Sequence, residues 1–345
     1  MIWFKKKKLN INEADLGVIN DPRLEEEKKQ DYQAEELVKF VPIVWKEKPE
    51  SEWRKFPIFS QNGSGSCVAQ TIAKVLGIEN FLEEGKFVHF SARDIYTHRK
   101  NFPSLGMWFQ DGLQIGYEFG ATFEQLMPSQ GLNEMAMNIY SDRTPLTEIV
   151  AKPGKGGNYL ALPIDIEAIA SKIEEGKGIV LGVKFGPKEW NREIPVILGN
   201  EMPYYHAITG TVATLYQNKK AIVIEDSWGI DSGIDGRRIV TEDWFNAGRI
   251  FFAGYYQFLK NDGLEVKPKY QFNTNLKYGM TNNADVKKLQ ECLTYLKLFP
   301  TRDYFTGNFY SITLKGIKAF QVLNNINPIG IVGPKTRAKL NEQFA

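Results

Sequence analysis

Apolar positions along this chain follow two different periods, and the period changes near the middle. Val68, Ile72, Val75, Leu76 and Leu82 recur at helical spacing up to Gly85, which predicts a long helix there. Ile166, Ile169 and Ile173 mark one face of another helix that ends at Gly176 and Gly178. Beyond it the pattern turns to strands: Ile179–Phe185, His206–Leu215 and Ala221–Asp226, the last two joined by the polar turn Gln217-Asn218-Lys219-Lys220. Helices first and strands later predict an α+β body with two unlike halves, over residues 46–260. Residues 1–45 are polar and charge-rich, and read as an N-terminal extension: a solvated or partly helical arm, or a pro-segment. Asn261-Asp262-Gly263 and Lys267-Pro268-Lys269 mark a linker over 261–274. A helical domain is expected over 275–345. Val286, Leu289, Leu293 and Leu296 line one apolar face, and Leu314, Ile317 and Phe320 a second. Pro334, after Gly333, starts a third helix.

A chain of 345 residues suits two domains. Its net charge of +2 argues against a nucleic-acid partner held by bulk electrostatics. The charge is uneven: residues 261–345 carry a surplus of +6 and the rest a deficit of −4, so a basic tail rides on a mildly acidic body. Cys67 and Cys292 are the two cysteines, and they cannot form a disulfide framework without joining the two halves. No Cys/His cluster has ligand spacing, so a metal is not expected. Met1-Ile2-Trp3-Phe4 precedes Lys5–Lys8, the reverse of a secretory signal, and no stretch reaches the length of a membrane span. The expectation is cytoplasmic synthesis without a signal peptide or membrane partner, with release or virion association as the route to an outside target.

A lone cysteine with distant histidines is a nucleophile pattern that local context must decide. Cys67 stands where a loop punctuated by Gly63 and Gly65 enters a helix, and a helix N-terminus favours a thiolate. Gln61 lies six residues upstream, in Ser60-Gln61-Asn62-Gly63-Ser64-Gly65-Ser66-Cys67. Tyr205-His206-Ala207-Ile208 and Asp226-Ser227-Trp228-Gly229 follow much later. Together, in this order, these runs resemble the papain-like cysteine peptidases. Trp53-Arg54, Gly120-Ala121-Thr122-Phe123 and Ile179–Phe185 also fall in the family's order, and the likeness covers about residues 53–258.

The resemblance implies a two-lobed fold, helical and β-rich, and a cysteine endopeptidase that uses no cofactor. Cys67 would be the nucleophile, His206 its base, Asp226 the group that orients His206, and Gln61 an oxyanion donor. Trp228 would cover the His206–Asp226 hydrogen bond. Gly106 and Trp108 are candidates for lining the substrate cleft, with plain packing as the alternative for Trp108. His89 and His98 take a structural reading. Three departures stand out. Asp226 replaces the usual Asn, Val68 replaces an aromatic residue, and Ser64 stands where a disulfide cysteine is frequent.

Residues 275–345 resemble a peptidoglycan-binding repeat. The match runs through Leu289-Gln290, Thr306-Gly307, Thr313, Phe320-Gln321, Gly330, Val332-Gly333, Thr336-Arg337 and Leu340. The combined expectation is a peptidase directed to bacterial cell wall, of the phage-lysin or wall-associated type, with peptide or protein substrate and peptidoglycan as partners. The alternatives are a non-catalytic virion or wall-binding protein and an intracellular protein-processing peptidase.

Overall fold

The structure, a computed structural model, describes residues 16–23, 40–140, 158–186, 188–257, 267–296, 298–299 and 305–345. These divide into two compact units. One is drawn from Met1–Asp142 and Tyr159–Tyr256, and the other lies chiefly from Gln257 onward.

The first unit begins with its helices: α1 (Glu50–Trp53), α2 (Cys67–Glu84), α3 (Ala92–Thr97), α4 (Phe109–Glu118) and α5 (Glu134–Met137). Every residue of α2 from Cys67 to Asn80 is buried, as expected of a helix enclosed on all sides rather than lying on a surface. Its buried charges are paired: Lys74 with Glu225, and Glu79 with Lys177 at 2.7 Å. Gly85 ends it at φ 70, a left-handed conformation that costs glycine little.

Next come β1 (Asn158–Ala161), α6 (Ile166–Glu174), β2 (Ile179–Phe185), β3 (Tyr204–Tyr216), β4 (Lys219–Glu225), β5 (Arg237–Thr241), α7 (Glu242–Asn246) and β6 (Ile250–Gln257). The six strands form one sheet in the order β1-β6-β2-β3-β4-β5. Pairing is antiparallel for β2 with β3, β2 with β6, β3 with β4, and β4 with β5. Alternating residues feed two cores. Ile208, Ile222, Ile224 and Val240 pack with α6 and Trp190, while Val212, Val223 and Ile239 pack with Trp53. The β3–β4 turn is tighter than the sequence suggests. Gln217 and Asn218 alone close it at φ 49 and 62, a two-residue turn of the twist a hairpin favours, and Lys219 and Lys220 belong to β4.

Parts of the expected N-terminal extension belong to this unit. Phe40, Ile43 and Trp45 pack against the larger core, and Val41 N–H donates to Ser171 Oγ at 3.1 Å.

The second unit holds α8 (Ala284–Tyr295), α9 (Ser311–Leu323) and α10 (Pro334–Phe344), with Pro334 in the first turn of α10. Its core includes Val286, Leu293, Ile317, Phe320 and Leu340. Phe272, within the stretch read as linker, is also part of this core, and Tyr270 packs against it. The first part of that stretch, residues 261–266, lies outside the described residues. Two buried glutamines repeat one piece of wiring. Gln290 accepts from Gly307 N–H and donates to Thr313 Oγ1, both at 3.0 Å. Gln321 accepts from Gly330 N–H and donates to Thr336 Oγ1, both at 2.9 Å. Each amide thereby ties a loop glycine to the helix that follows, which accounts for the repeated Gln, Gly and Thr positions in the sequence.

Candidate active site

Two distant segments are sewn together beside the start of α2. Gln61 N–H donates to Ser227 O at 2.8 Å, Gly229 N–H donates to Phe59 O at 3.0 Å, and Ser60 bridges Trp228. The side chains repeat the stitch: Ser227 Oγ donates to Gln61 Oε1 at 2.5 Å, and Gln61 Nε2 donates to Ser64 O at 2.5 Å. The Gln61 amide is thus fixed with its oxygen toward Ser227 and its nitrogen toward the loop that leads to Cys67. On the other side of that loop, Gly65 N–H donates to Glu134 Oε2 at 2.7 Å. Cys67 is buried as the first residue of α2, where helical N–H groups have no carbonyl partner four residues back.

The histidine arrives from the sheet. His206 pairs with Val183 across β2 and β3, and Asp226 directly follows β4. His206 Nε2 donates to Asp226 Oδ1 at 2.8 Å, and the Trp228 ring stacks on the imidazole at 4.6 Å and 28°. That bond fixes the tautomer for a neutral ring: Nε2 holds the proton and Nδ1 is left as the base. Nδ1 is buried and, among the described residues, no partner meets it with hydrogen-bond geometry, yet the Cys67 thiol is near enough to act on the ring's charge. Burial pushes the His206 pKa down. The Asp226 charge and hydrogen bond, with a smaller contribution from Cys67, overcome this and raise it to about 9. Asp226 shifts in the complementary direction. Burial works against its charge, but His206, then Arg238, hold it below the ordinary carboxylate range. Both shifts therefore favour an imidazolium–carboxylate pair.

Asp226 has further partners that sequence reading missed. Oδ1 also accepts from Ser227 N–H at 2.8 Å, and Oδ2 accepts from Trp190 Nε1 at 3.0 Å and Arg238 Nη1 at 2.7 Å. The one available signal for Arg238 was a basic residue directly before the apolar pair Ile239-Val240.

A segment of the N-terminal extension lies against the same loop. Val18 forms a parallel bridge with Met107, Met107 N–H donates to Gly17 O at 2.8 Å, and Ile19 N–H donates to Met107 O at 3.2 Å. Gly17 touches the backbone of Gly65 so closely that an added Cβ would fall 1.7 Å from Gly65 O. Gly106 closes the same junction at φ 77, where a Cβ would meet Gly17 O at 2.6 Å. Gly106 is thus beside the loop that leads to Cys67. Trp108 is a buried residue at the start of α4, and Trp228 is on the imidazole. His89 stacks on Phe59 at 4.3 Å, and His98 Nδ1 lies 2.6 Å from Asp94 O, so both are engaged away from Cys67.

Comparison with known proteins bears on the fold of each unit. The family model described as "Putative peptidoglycan binding domain" matches residues 282–340. Among solved structures, xylellain, a cysteine protease from Xylella fastidiosa, superposes with a TM-score of 0.55 at 15% identity, covering 75% of this chain and 100% of its own. Digestive procathepsin L2 proteinase from the larval midgut of Tenebrio molitor gives 0.54 at 16% identity, covering 71% and 79%. The proform of Amb a 11, a ragweed pollen cysteine protease, gives 0.51 at 17% identity, covering 66% and 68%. No curated protein matched. The chain thus joins the papain-like cysteine-protease fold to a C-terminal peptidoglycan-binding domain.

Proposed function

We propose that this protein is a cysteine peptidase acting on peptide bonds at the bacterial cell wall, with Cys67, His206 and Asp226 as its reacting set. The observation that carries the reading is the buried His206–Asp226 pair beside Cys67 at the helix start, roofed by Trp228 and tied through Ser227 to Gln61. The Cys67 thiolate attacks the carbonyl carbon, forming a C–S bond while the carbonyl electrons move to oxygen. Gln61 and the Cys67 N–H stabilise that oxyanion. As it collapses, the C–N bond breaks and His206 Nδ1 gives its proton to the departing amine. Water then adds to the thioester, passing a proton to His206, and the C–S bond breaks to restore the thiolate. Asp226 fixes the imidazole's tautomer and stabilises its cationic form.

The C-terminal domain supplies the wall. Its family model and its basic surplus support binding to an anionic, peptidoglycan-containing surface. The segment around Gly17 acts as a cover over the nucleophile loop, which deletion of residues 1–23 removes. In the decisive experiment, this truncated protein and its Cys67→Ala variant digest purified wall and casein in parallel. Cys67-dependent release of peptides or amines from wall is the expected result. Release from casein alone would make it a general protein-processing peptidase. Release from neither, with Cys67 inert to iodoacetamide, would leave a non-catalytic wall-binding protein.

A further inference from the structure

Asp226 holds more charge partners than orienting a histidine requires. Its side chain is fully buried, and its two oxygens divide between two cations: Oδ1 faces His206 at 2.8 Å and Oδ2 faces Arg238 at 2.7 Å. Arg238 is itself buried. It also donates from Nε to Trp190 O at 3.1 Å and from Nη2 to Ser232 Oγ at 2.8 Å, and its guanidinium lies 5.5 Å from the Trp190 ring and 5.6 Å from the Trp228 ring. The register of the sheet builds this contact. Ile224 on β4 faces Arg238 on β5, and residue 226 lies two positions beyond 224 on the same face, within diagonal reach of a long side chain. The intervening Glu225 points to the opposite face, to Lys74 and Arg237, and Glu189, beside Trp190, is held by Arg249 at 3.0 Å. Among the described residues, His206 and Arg238 are the cations on Asp226, and Cys67 is the other titratable group acting on His206.

The reaction cycle makes the second cation consequential. His206 passes between imidazolium and neutral imidazole. Without Arg238, the neutral state would leave Asp226 ionised in the interior with no counter-charge, a strongly unfavourable condition. Arginine keeps its charge throughout. We propose that Arg238 is a positioning residue that keeps Asp226 ionised and oriented in both protonation states of His206, so that an aspartate can stand where the resembled family usually has a neutral asparagine. This rests on reading Cys67, His206 and Asp226 as the reacting set.

The test uses the full chain with Arg238→Gln, Arg238→Lys, Asp226→Asn and the double variant Asp226→Asn/Arg238→Gln. Two readouts are followed against pH: the His206 midpoint by NMR of 13C-labelled histidine, and Cys67 alkylation by iodoacetamide. Arg238→Gln should move the His206 midpoint up by about one pH unit, because the imidazolium becomes the sole counter-charge, and Asp226→Asn should move it down by at least about as much. Arg238→Lys should stay near the parent, and the double variant should fall between the singles. A purely structural role would lower stability without moving the midpoint. An unchanged or lowered midpoint in Arg238→Gln therefore overturns the proposal. If Arg238→Gln does not fold, the double variant must regain folding, because it removes both charges together; failure to regain it also overturns the proposal. The underlying reading fails separately, and takes this one with it, if His206→Gln leaves Cys67 alkylation unchanged at every pH in the full chain uncovered by Gly17→Val.

Discussion

The sharpest consequence of the geometry is a histidine that stays charged well above neutral pH. An unperturbed imidazole titrates at about 6.5, whereas His206 is held at about 9. At pH 8 about nine-tenths of His206 should therefore be protonated, against about 3% for a free histidine. The stabilising sign follows from the raised value. Folding gains on the order of 3 kcal/mol from this group below pH 6.5 as an upper figure, and loses it as pH climbs toward 9. Burial opposes the shift, so the outcome tests whether the Asp226 contact wins. The assay is a 13C-histidine titration of the intact protein, with the three resonances assigned through His89→Gln and His98→Gln. A parallel series of thermal melts between pH 6 and 9 should show a falling Tm. A His206 midpoint at or below 6.5 would mean that burial dominates, and the imidazolium-based mechanism would have to be given up.

Four other outcomes follow. In the chain lacking residues 1–23, iodoacetamide at pH 6 should modify Cys67 far faster than Cys292, a buried thiol pushed up to about 12 by burial and then by Glu291; equal rates under native conditions would remove Cys67 as nucleophile. Gly17→Val should expel the covering segment, since no Cβ fits against Gly65 O, and should speed Cys67 alkylation as truncation does; an unchanged rate would show that the segment shields nothing. Gln61→Ala should lower kcat by about 100-fold with little change in KM, and a near-normal kcat would exclude it from the oxyanion site. Residues 267–345 alone should fold as a helical domain and sediment with purified peptidoglycan in moderate salt; binding lost on adding salt would reduce the interaction to charge, and no binding at all would make the domain a protein-docking unit.

What the sequence made legible was whatever its chemistry packs into a short run. Gln61 and Cys67 share one loop, and Asp226, Ser227 and Trp228 share another, so their order and spacing expose them. Helix α2, with its apolar positions and closing Gly85, is equally local, as are the Ile179–Phe185 strand and the Pro334 start of α10. Contacts set by strand register or chain return were not legible. Arg238 reaches Asp226 because β4 and β5 pair in one register rather than another, and Trp190 reaches it from 36 residues upstream. Glu134 supports Gly65 from 69 residues downstream. The Gly17–Ile19 segment is too short and too mixed to carry a period, and its distant partners Met107 and Gly65 define it.

The Asp226 departure shows why such distant residues matter to a local motif. A thiolate and an imidazolium in a buried site sum to zero, and a neutral asparagine leaves that sum unchanged. Replacing it with an aspartate adds one negative charge to a region where isolated charge is strongly disfavoured. Arg238 returns the sum to zero, from a neighbouring strand, through a bond to the oxygen that His206 does not use. Asp226 and Arg238 therefore form one charge-balanced unit distributed over two strands. Reverting Asp226 alone would not restore the usual arrangement, because it would strand a buried guanidinium against Trp190 and Trp228. The neutral arrangement is reached only when both positions change together.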